Sequence, residues 1–137
     1  MCLSARPALA FDPPERVVVA GAGDAVAWAR TIPGFGWFAE IYALFVAGGS
    51  LRRAAWLGSA TALDDFVAWP DFSLGYAPAP GADTVLLLVC RPGQGVAPTA
   101  DDRRVFELLR LAHDARGVPL ADVVLVDGRR WCSMAAR

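Results

Sequence analysis

The chain contains no lysine and no asparagine, and its only histidine is His113. All thirteen basic side chains are therefore arginines, and fourteen acidic side chains leave a net charge of −1. A chain so close to neutrality has no general attraction for nucleic acid or for an anionic membrane. A metal site made of two or three histidines is excluded within one chain, because only one imidazole is present.

The three cysteines form no C-x-x-C pair, and their odd number argues against a disulfide framework. Reduced thiols are typical of a cytoplasmic protein. No apolar run reaches the roughly 18 residues of a membrane-spanning helix, and residues 1–10 lack the features of a secretory signal. We therefore expect a cytoplasmic location and no membrane partner.

The chain has 137 residues, of which 55% are hydrophobic and 20% charged, and this composition predicts one folded domain. Residues 1–14 contain three prolines and no regular period, so we expect an N-terminal arm or loose terminus there. The domain itself is expected to cover residues 15–137.

Alternating strand and helix patterns follow. The apolar run Thr84–Cys90 is typical of a central strand that is covered on both faces. Thr99 opens the clearest helix, in which Val105, Leu108, Leu109 and Ala112 share one face, and Gly117 ends it. A layered α/β domain is expected. The other predicted strands are Arg16–Ala20, Trp37–Ala47, Leu51–Leu57, Val123–Val126 and Arg130–Met134, and the other predicted helices are Ala25–Thr31, with Asp24 as N-cap, and Ala62–Trp69.

A spaced set of residues carries the most information about function. Glu40 lies on an early strand; Val89-Cys90-Arg91 ends a later one; seven residues then lead to Thr99, and two more to Asp102. This frame resembles the JAB/MPN (JAMM) domain, and in particular its RadC-like branch. That family has a Glu on an early strand, then His-x-His, seven residues, a Ser, two residues and an Asp.

Further positions match the RadC-like pattern over about residues 15–137. Pro92 and Pro98 stand where those chains have prolines, and Gly117-Val118-Pro119 resembles their Gly-Ile-Pro-like turn at a helix end. Gly58 and Pro70 correspond to a glycine and a proline that precede the first His. The resemblance implies a single-domain JAB/MPN-like (cytidine-deaminase-like) fold, with a mixed β-sheet flanked by helices.

The resemblance also implies a chemistry that this chain has lost. In active members the two His and the Asp hold zinc, the Glu is the general base, and the Ser stabilises the oxyanion. Glu40 and Asp102 are retained and Thr99 replaces the Ser, but Val89 and Arg91 stand at the two His positions. Valine offers no lone pair, and arginine stays protonated and repels a cation. Zinc is thus expected in active relatives, and no cofactor is expected here.

Two interpretations of Arg91 stay open at this point. In one, its guanidinium fills the vestigial metal pocket and pairs with Asp102, with Glu40 as a second candidate partner. In the other, Arg91 points to solvent and Asp102 only caps its helix. Glu40 is similarly open between partial burial in an apolar strand and an outward-facing charge.

The first functional hypothesis is a non-catalytic, metal-free RadC-like domain that acts through an unknown protein partner. The second is a metal-dependent, isopeptidase-like hydrolase, in which zinc or another metal is held by residues that the pattern does not predict. The third is a DNA-repair-associated module by family analogy alone. Nucleic-acid binding is not expected, because the paired arginines are scattered among acidic residues. Aromatic residues cluster in the predicted hairpin, where core packing is the default, although exposed rings there make a homodimer reasonable.

Overall fold

The computed structural model of the chain describes residues 9–59 and 81–135, which form six strands and two helices. All but one of these elements correspond to patterns in the sequence, with shifts at their ends. The strands are β1 (Leu9–Phe11), β2 (Glu40–Ala47), β3 (Ser50–Ser59), β4 (Thr84–Cys90), β5 (Leu120–Asp127) and β6 (Arg130–Ser133), and the helices are α1 (Ala22–Ala29) and α2 (Ala100–Ala115).

The six strands form one mixed sheet in the order β1-β3-β2-β4-β5-β6. Strands β4 and β5 are parallel, and every other neighbouring pair is antiparallel. Helix α2 connects the parallel pair, as a crossover between parallel strands requires. The predicted class, an α/β domain with a mixed sheet flanked by helices, is confirmed.

Strand β4 separates two hydrophobic clusters, because its successive side chains point to opposite faces of the sheet. Leu87 and Val89 pack in the cluster that contains α2 residues such as Leu109, and Leu88 packs with α1 residues such as Val26 on the other face. All of these side chains are fully buried or nearly so. The prediction that Thr84–Cys90 is a central strand covered on both faces is confirmed, with the same bounds.

The predicted hairpin forms between β2 and β3, with Gly48 and Gly49 at φ +58° and +76°. Both angles lie in the left-handed region that glycine adopts without strain. Strand β2 begins at Glu40, so the predicted start at Trp37 was wrong. Trp37 and its neighbour Phe38 lie in the bend before the strand and are 74% and 64% exposed.

The N-terminal part differs most from the prediction. Leu9–Phe11, placed in the arm by the sequence, forms edge strand β1 against β3. Arg16–Ala20 is not a strand, since it makes only an isolated bridge between Val18 and Ser50 and short backbone contacts beside the hairpin. Helix α1 begins earlier than predicted, and Asp24 accepts a hydrogen bond from the Ala20 amide instead of acting as N-cap.

Helix α2 begins and ends as predicted, with Thr99 as N-cap and Gly117 at φ +81° beyond its end. Leu108 was assigned to the core, but it is 46% exposed, and His113 is buried on the inner face instead. Strand β5 is longer than the predicted Val123–Val126, and β6 ends one residue earlier than predicted. Helix Ala62–Trp69 lies outside the described residues, as do Cys2 and Pro70.

Candidate functional site

Arg91 follows the last residue of β4 and continues the strand pairing by one step. Its amide donates to the carbonyl oxygen of Val126 at 2.8 Å. The alternation of β4 therefore directs its side chain, like that of Val89, to the face covered by α2. Only 5% of Arg91 is exposed, so a positive charge lies under the first turn of the helix.

Asp102 reaches the same place from α2, where it is the third helical residue. Its amide donates to the Thr99 hydroxyl at 3.0 Å, and its carboxylate Oδ2 accepts from the Thr99 amide at 2.9 Å. This reciprocal pair is a capping box, with aspartate in the position more often held by glutamate or glutamine. The cap fixes the carboxylate at the positive end of the helix dipole, which stabilises its negative charge.

The two charged groups form a buried ion pair. Nη1 of Arg91 donates to Oδ2 of Asp102 at 2.9 Å and to Oδ1 at 3.1 Å, and each side chain is 6% exposed. The hypothesis that Arg91 pairs with Asp102 is confirmed, and the solvent-facing interpretation is wrong. Nε of Arg91 is also buried and has no hydrogen-bond partner among the residues that the structure describes.

Val89 and Thr99 complete this part of the frame. Val89 is fully buried in the cluster that also holds Val105 and Phe106, so it adds apolar surface to the site. The Thr99 hydroxyl is engaged by the Asp102 amide. Four of the five predicted positions therefore meet where β4 ends and α2 begins, and their contacts are structural.

Glu40 does not join them. It lies opposite Cys90 in the pairing of β2 with β4, and such facing residues share one side of a sheet, here the side of α1. The Tyr42 hydroxyl donates to its Oε2 at 2.5 Å. The prediction that Glu40 is a second partner of Arg91 was therefore wrong, because the two side chains point to opposite faces of the sheet.

Glu40 forms a hydrogen bond with Tyr42, and the Cys90 thiol lies close enough for the charge of Glu40 to affect it. Burial and the hydrogen bond to Glu40 raise the pKa of Tyr42 above its ordinary value. Burial, and next the charge of Glu40, raise the pKa of the Cys90 thiol to about 12. Cys90 is thus held as the neutral thiol at pH 7, a poor nucleophile and a poor metal ligand.

Asp127, which was not predicted as a functional residue from the sequence, holds the loop that follows Arg91. Its carboxylate accepts from the amides of Gly93 at 2.9 Å and Gly95 at 2.7 Å, and these bonds lower its pKa. The Asp127-Gly128 dipeptide was interpreted only as a turn. The available signal was the Gly-x-Gly sequence after β4, whose glycines both adopt positive φ and expose amides for an acceptor.

No group of three or more His, Cys, Asp or Glu side chains within residues 9–59 and 81–135 is arranged to hold a metal ion. Neither helix in these ranges is long and apolar enough to cross a membrane. In comparisons with known proteins, no family model and no curated protein matches the chain. The fold defines the class of protein, which is an α/β domain whose mixed sheet lies between two helices.

Proposed function

We propose that this chain is a RadC-like domain of the JAB/MPN type that has lost its zinc ligands and acts through protein contacts, without hydrolysis. The observation that carries the proposal is the buried Arg91–Asp102 pair. It occupies the positions at which the family pattern has its second His and its Asp.

The residues of this frame do not fit a zinc ion. Zinc binds nitrogen, sulfur or oxygen lone pairs, and the Val89 side chain has none. Arg91 carries its own positive charge and already occupies both oxygens of the Asp102 carboxylate. The guanidinium therefore supplies the positive charge that a metal ion would otherwise bring to this carboxylate.

The position of Glu40 departs from the family pattern, in which this Glu faces the metal site. A general base must lie within hydrogen-bond reach of the water that it activates, about 2.6–3.2 Å. Glu40 lies on the α1 side of the sheet, whereas the Arg91–Asp102 pair lies on the α2 side, and its carboxylate accepts from Tyr42. Glu40 therefore supplies no general base at the Arg91–Asp102 site, and its carboxylate is occupied by a hydrogen bond within its own strand.

A role in protein contacts is supported by exposed aromatic surface. Trp37 and Phe38 are adjacent, and each leaves more than half of its area in solvent. Large exposed aromatic side chains are enriched at protein interfaces, where one ring buries much area at low cost in side-chain entropy. This pair precedes β2 and is well separated in the chain from the Arg91–Asp102 site.

Zinc stoichiometry tests the proposal. The purified full chain is incubated with zinc, dialysed, and analysed for metal by mass spectrometry. We expect no stoichiometric zinc in the wild-type chain. We expect zinc uptake by the double variant Val89→His/Arg91→His, which places two imidazoles two residues apart on the face of Asp102.

A third variant, which adds Asp102→Asn to the double variant, is the matched control and should lose zinc affinity. Circular dichroism establishes that each variant is folded. One zinc ion per wild-type chain after dialysis would overturn the non-catalytic assignment. A folded double variant that takes up no zinc, or that binds it equally well with Asn at position 102, would contradict the family frame.

A further inference from the structure

A groove of about 530 Å³ runs along one side of helix α2, between the helix and the start of β5. Its floor is apolar, because Phe106, Leu120 and Met134 line it and each is at most 8% exposed. Among the described residues, every charged side chain that lines the groove belongs to α2. The groove therefore combines an apolar floor with a single charged wall.

The charged wall consists of four exposed residues, which are Arg103, Glu107, Arg110 and Asp114. Their spacing of four, three and four residues places them on one side of the helix. The middle two neutralise each other, since Nη1 of Arg110 lies 3.1 Å from Oε1 of Glu107. The Arg110 guanidinium also lies over the ring of Phe106, 5.9 Å from its centroid. The middle of the wall is therefore close to neutral.

The two ends of the wall carry opposite charges that are not paired. Neither Arg103 nor Asp114 forms a salt bridge or a side-chain hydrogen bond with any residue that the structure describes. They are separated along the helix by about 16 Å, at a rise of about 1.5 Å per residue. The groove therefore offers a free positive charge at one end and a free negative charge at the other.

The helix dipole has the same direction as these charges. The wall begins near the positive N-terminal end of α2 and ends in the last turn, at the negative C-terminal end. The acidic residues of the first turn do not cancel the charge of Arg103. Asp102 is neutralised by Arg91, and Asp101 points to another side of the helix, where it pairs with Arg104. An acidic group is therefore favoured at the Arg103 end, and a basic group at the opposite end.

The dimensions of the groove suit an extended chain better than a helix. Its volume of about 530 Å³, spread over about 16 Å, corresponds to a mean cross-section of about 33 Å². A helix about 10 Å in diameter has a cross-section of about 80 Å². A single strand occupies about 48 Å², from a strand spacing of about 4.8 Å and a sheet spacing of about 10 Å. The groove therefore holds one face of an extended segment.

We propose that this groove binds an extended segment of a partner protein, with an acidic side chain at Arg103, an apolar side chain on the floor and a basic side chain at Asp114. Residues i, i+2 and i+4 of an extended chain point to one face and span about 13 Å, and the lengths of the charged side chains cover the remaining distance. The inference rests on the proposed function in assigning protein contacts to this chain, and its test does not involve zinc.

Titration of the isotope-labelled full chain with the peptide acetyl-Asp-Ser-Leu-Ser-Arg-amide, followed by nuclear magnetic resonance, tests the groove. We expect saturable shifts of the amide signals of Phe106, Leu120 and Met134. The dissociation constant should be on the order of 1 mM, because so short a segment buries little area. Arg103→Glu should raise this constant about fivefold or more, since it turns an attraction into a repulsion.

Exchange of charge in the peptide gives the rescue. A peptide with Arg in place of its Asp should bind Arg103→Glu about as well as the original peptide binds the wild type. Asp114→Arg should weaken the original peptide in the same way and should be rescued by a peptide with Asp in place of its Arg. Arg104→Glu is the matched control, because it makes the same change in net charge outside the groove. It should leave the dissociation constant within about twofold.

Absence of shifts at peptide concentrations up to about 10 mM would overturn the inference. So would equal weakening by Arg103→Glu and Arg104→Glu, or peptides of exchanged charge that do not restore binding. Shifts of the same signals when the protein alone is concentrated would assign the groove to a second copy of the chain and would also overturn it. Because residues 103, 104 and 114 are exposed, the variants should keep the wild-type circular dichroism. None of these outcomes alters zinc uptake, so the loss of the zinc site is judged separately.

Discussion

At the scale of single residues, Arg91 and Asp102 depend on each other. Each neutralises the charge of the other, and either charge would be costly to bury alone. Asp102 also caps α2. The Coulomb attraction of such a pair offsets its desolvation, so the pair contributes little net stability compared with apolar residues of similar size. Removal of one partner alone is costly because it leaves the other charge buried.

Arg91→Met should lower the free energy of unfolding by about 3–5 kcal/mol, because it leaves the Asp102 carboxylate buried without a cation. The double variant Arg91→Met/Asp102→Asn should recover most of this loss, since both charges are then absent and the amide oxygen can still accept from Thr99. Urea denaturation measures both variants.

Arg104→Met is the control for this comparison, because the Arg104–Asp101 pair is exposed and 3.6 Å apart. It should change the free energy of unfolding by less than about 0.5 kcal/mol. Equal effects of Arg91→Met and Arg104→Met would show that the buried pair is not formed.

His113 gives the chain a dependence on pH. Burial lowers its pKa below the ordinary 6.5, against a smaller opposing effect of the Leu109 carbonyl, which is 2.8 Å from Nδ1. The unfolded chain therefore takes up a proton first as the pH falls through 6.5, and the free energy of unfolding decreases. The contribution is complete above pH 6.5 and is lost below it, towards the lowered pKa of the folded chain.

We expect the wild-type chain to lose up to about 1 kcal/mol of stability between pH 7.5 and 5.5, where carboxylates with ordinary pKa values remain ionised. The variant His113→Met lacks the titrating group and should be nearly independent of pH over that window. Urea denaturation at the two pH values gives the comparison. The same loss in both proteins would assign the effect to other groups.

At the scale of elements, agreement with the sequence was closest where local and tertiary preferences coincide. The run of β4 is apolar throughout, and a strand between two helices needs that pattern, so its bounds were predicted correctly. Helix α2 has its own start and stop residues in Thr99 and Gly117. The segment around Trp37 has strand propensity, but the turn with Gly34 and Gly36 at positive φ delays the start of β2.

The cap of α2 allows a local test. Thr99→Ala removes the acceptor of the Asp102 amide and should cost about 1 kcal/mol, within a usual range of about 0.5–2 kcal/mol. Thr99→Ser keeps the hydroxyl and should remain close to the wild type. Thermal or urea unfolding compares the two. An alanine variant no less stable than the serine variant would show that the side-chain cap contributes nothing.

At the scale of the whole molecule, the sheet joins two separate hydrophobic clusters into one structure. Leu87 is fully buried between β2, β5 and the α2 side, where deletion of its side chain leaves a cavity. Leu87→Ala should therefore cost about 2–5 kcal/mol. Leu111→Ala, at a position 66% exposed, should change stability by less than about 0.5 kcal/mol. Equal losses in urea denaturation would contradict the assignment of Leu87 to the core.

At the candidate site, spacing along the sequence predicts some side-chain contacts and not others. Arg91 and Asp102 are eleven residues apart and connected by a turn with glycines and prolines, so their meeting was one of two interpretations from the sequence. Glu40 could not be placed by spacing alone. Which face of β2 it occupies depends on the register with β4, and a shift of one residue moves every side chain of a strand to the other face.

By itself the sequence determined the α/β class, the central strand, the glycine hairpin and the capped helix, because periodicity, propensity and end signals act over a few neighbouring residues. Only the tertiary structure decided the edge strand at Leu9–Phe11, the burial of His113, the hydrogen bonds from the loop after β4 to Asp127, and the separation of Glu40 from Arg91. These features depend on strand register and on contacts between distant segments, and their free energies appear only when the sheet is assembled.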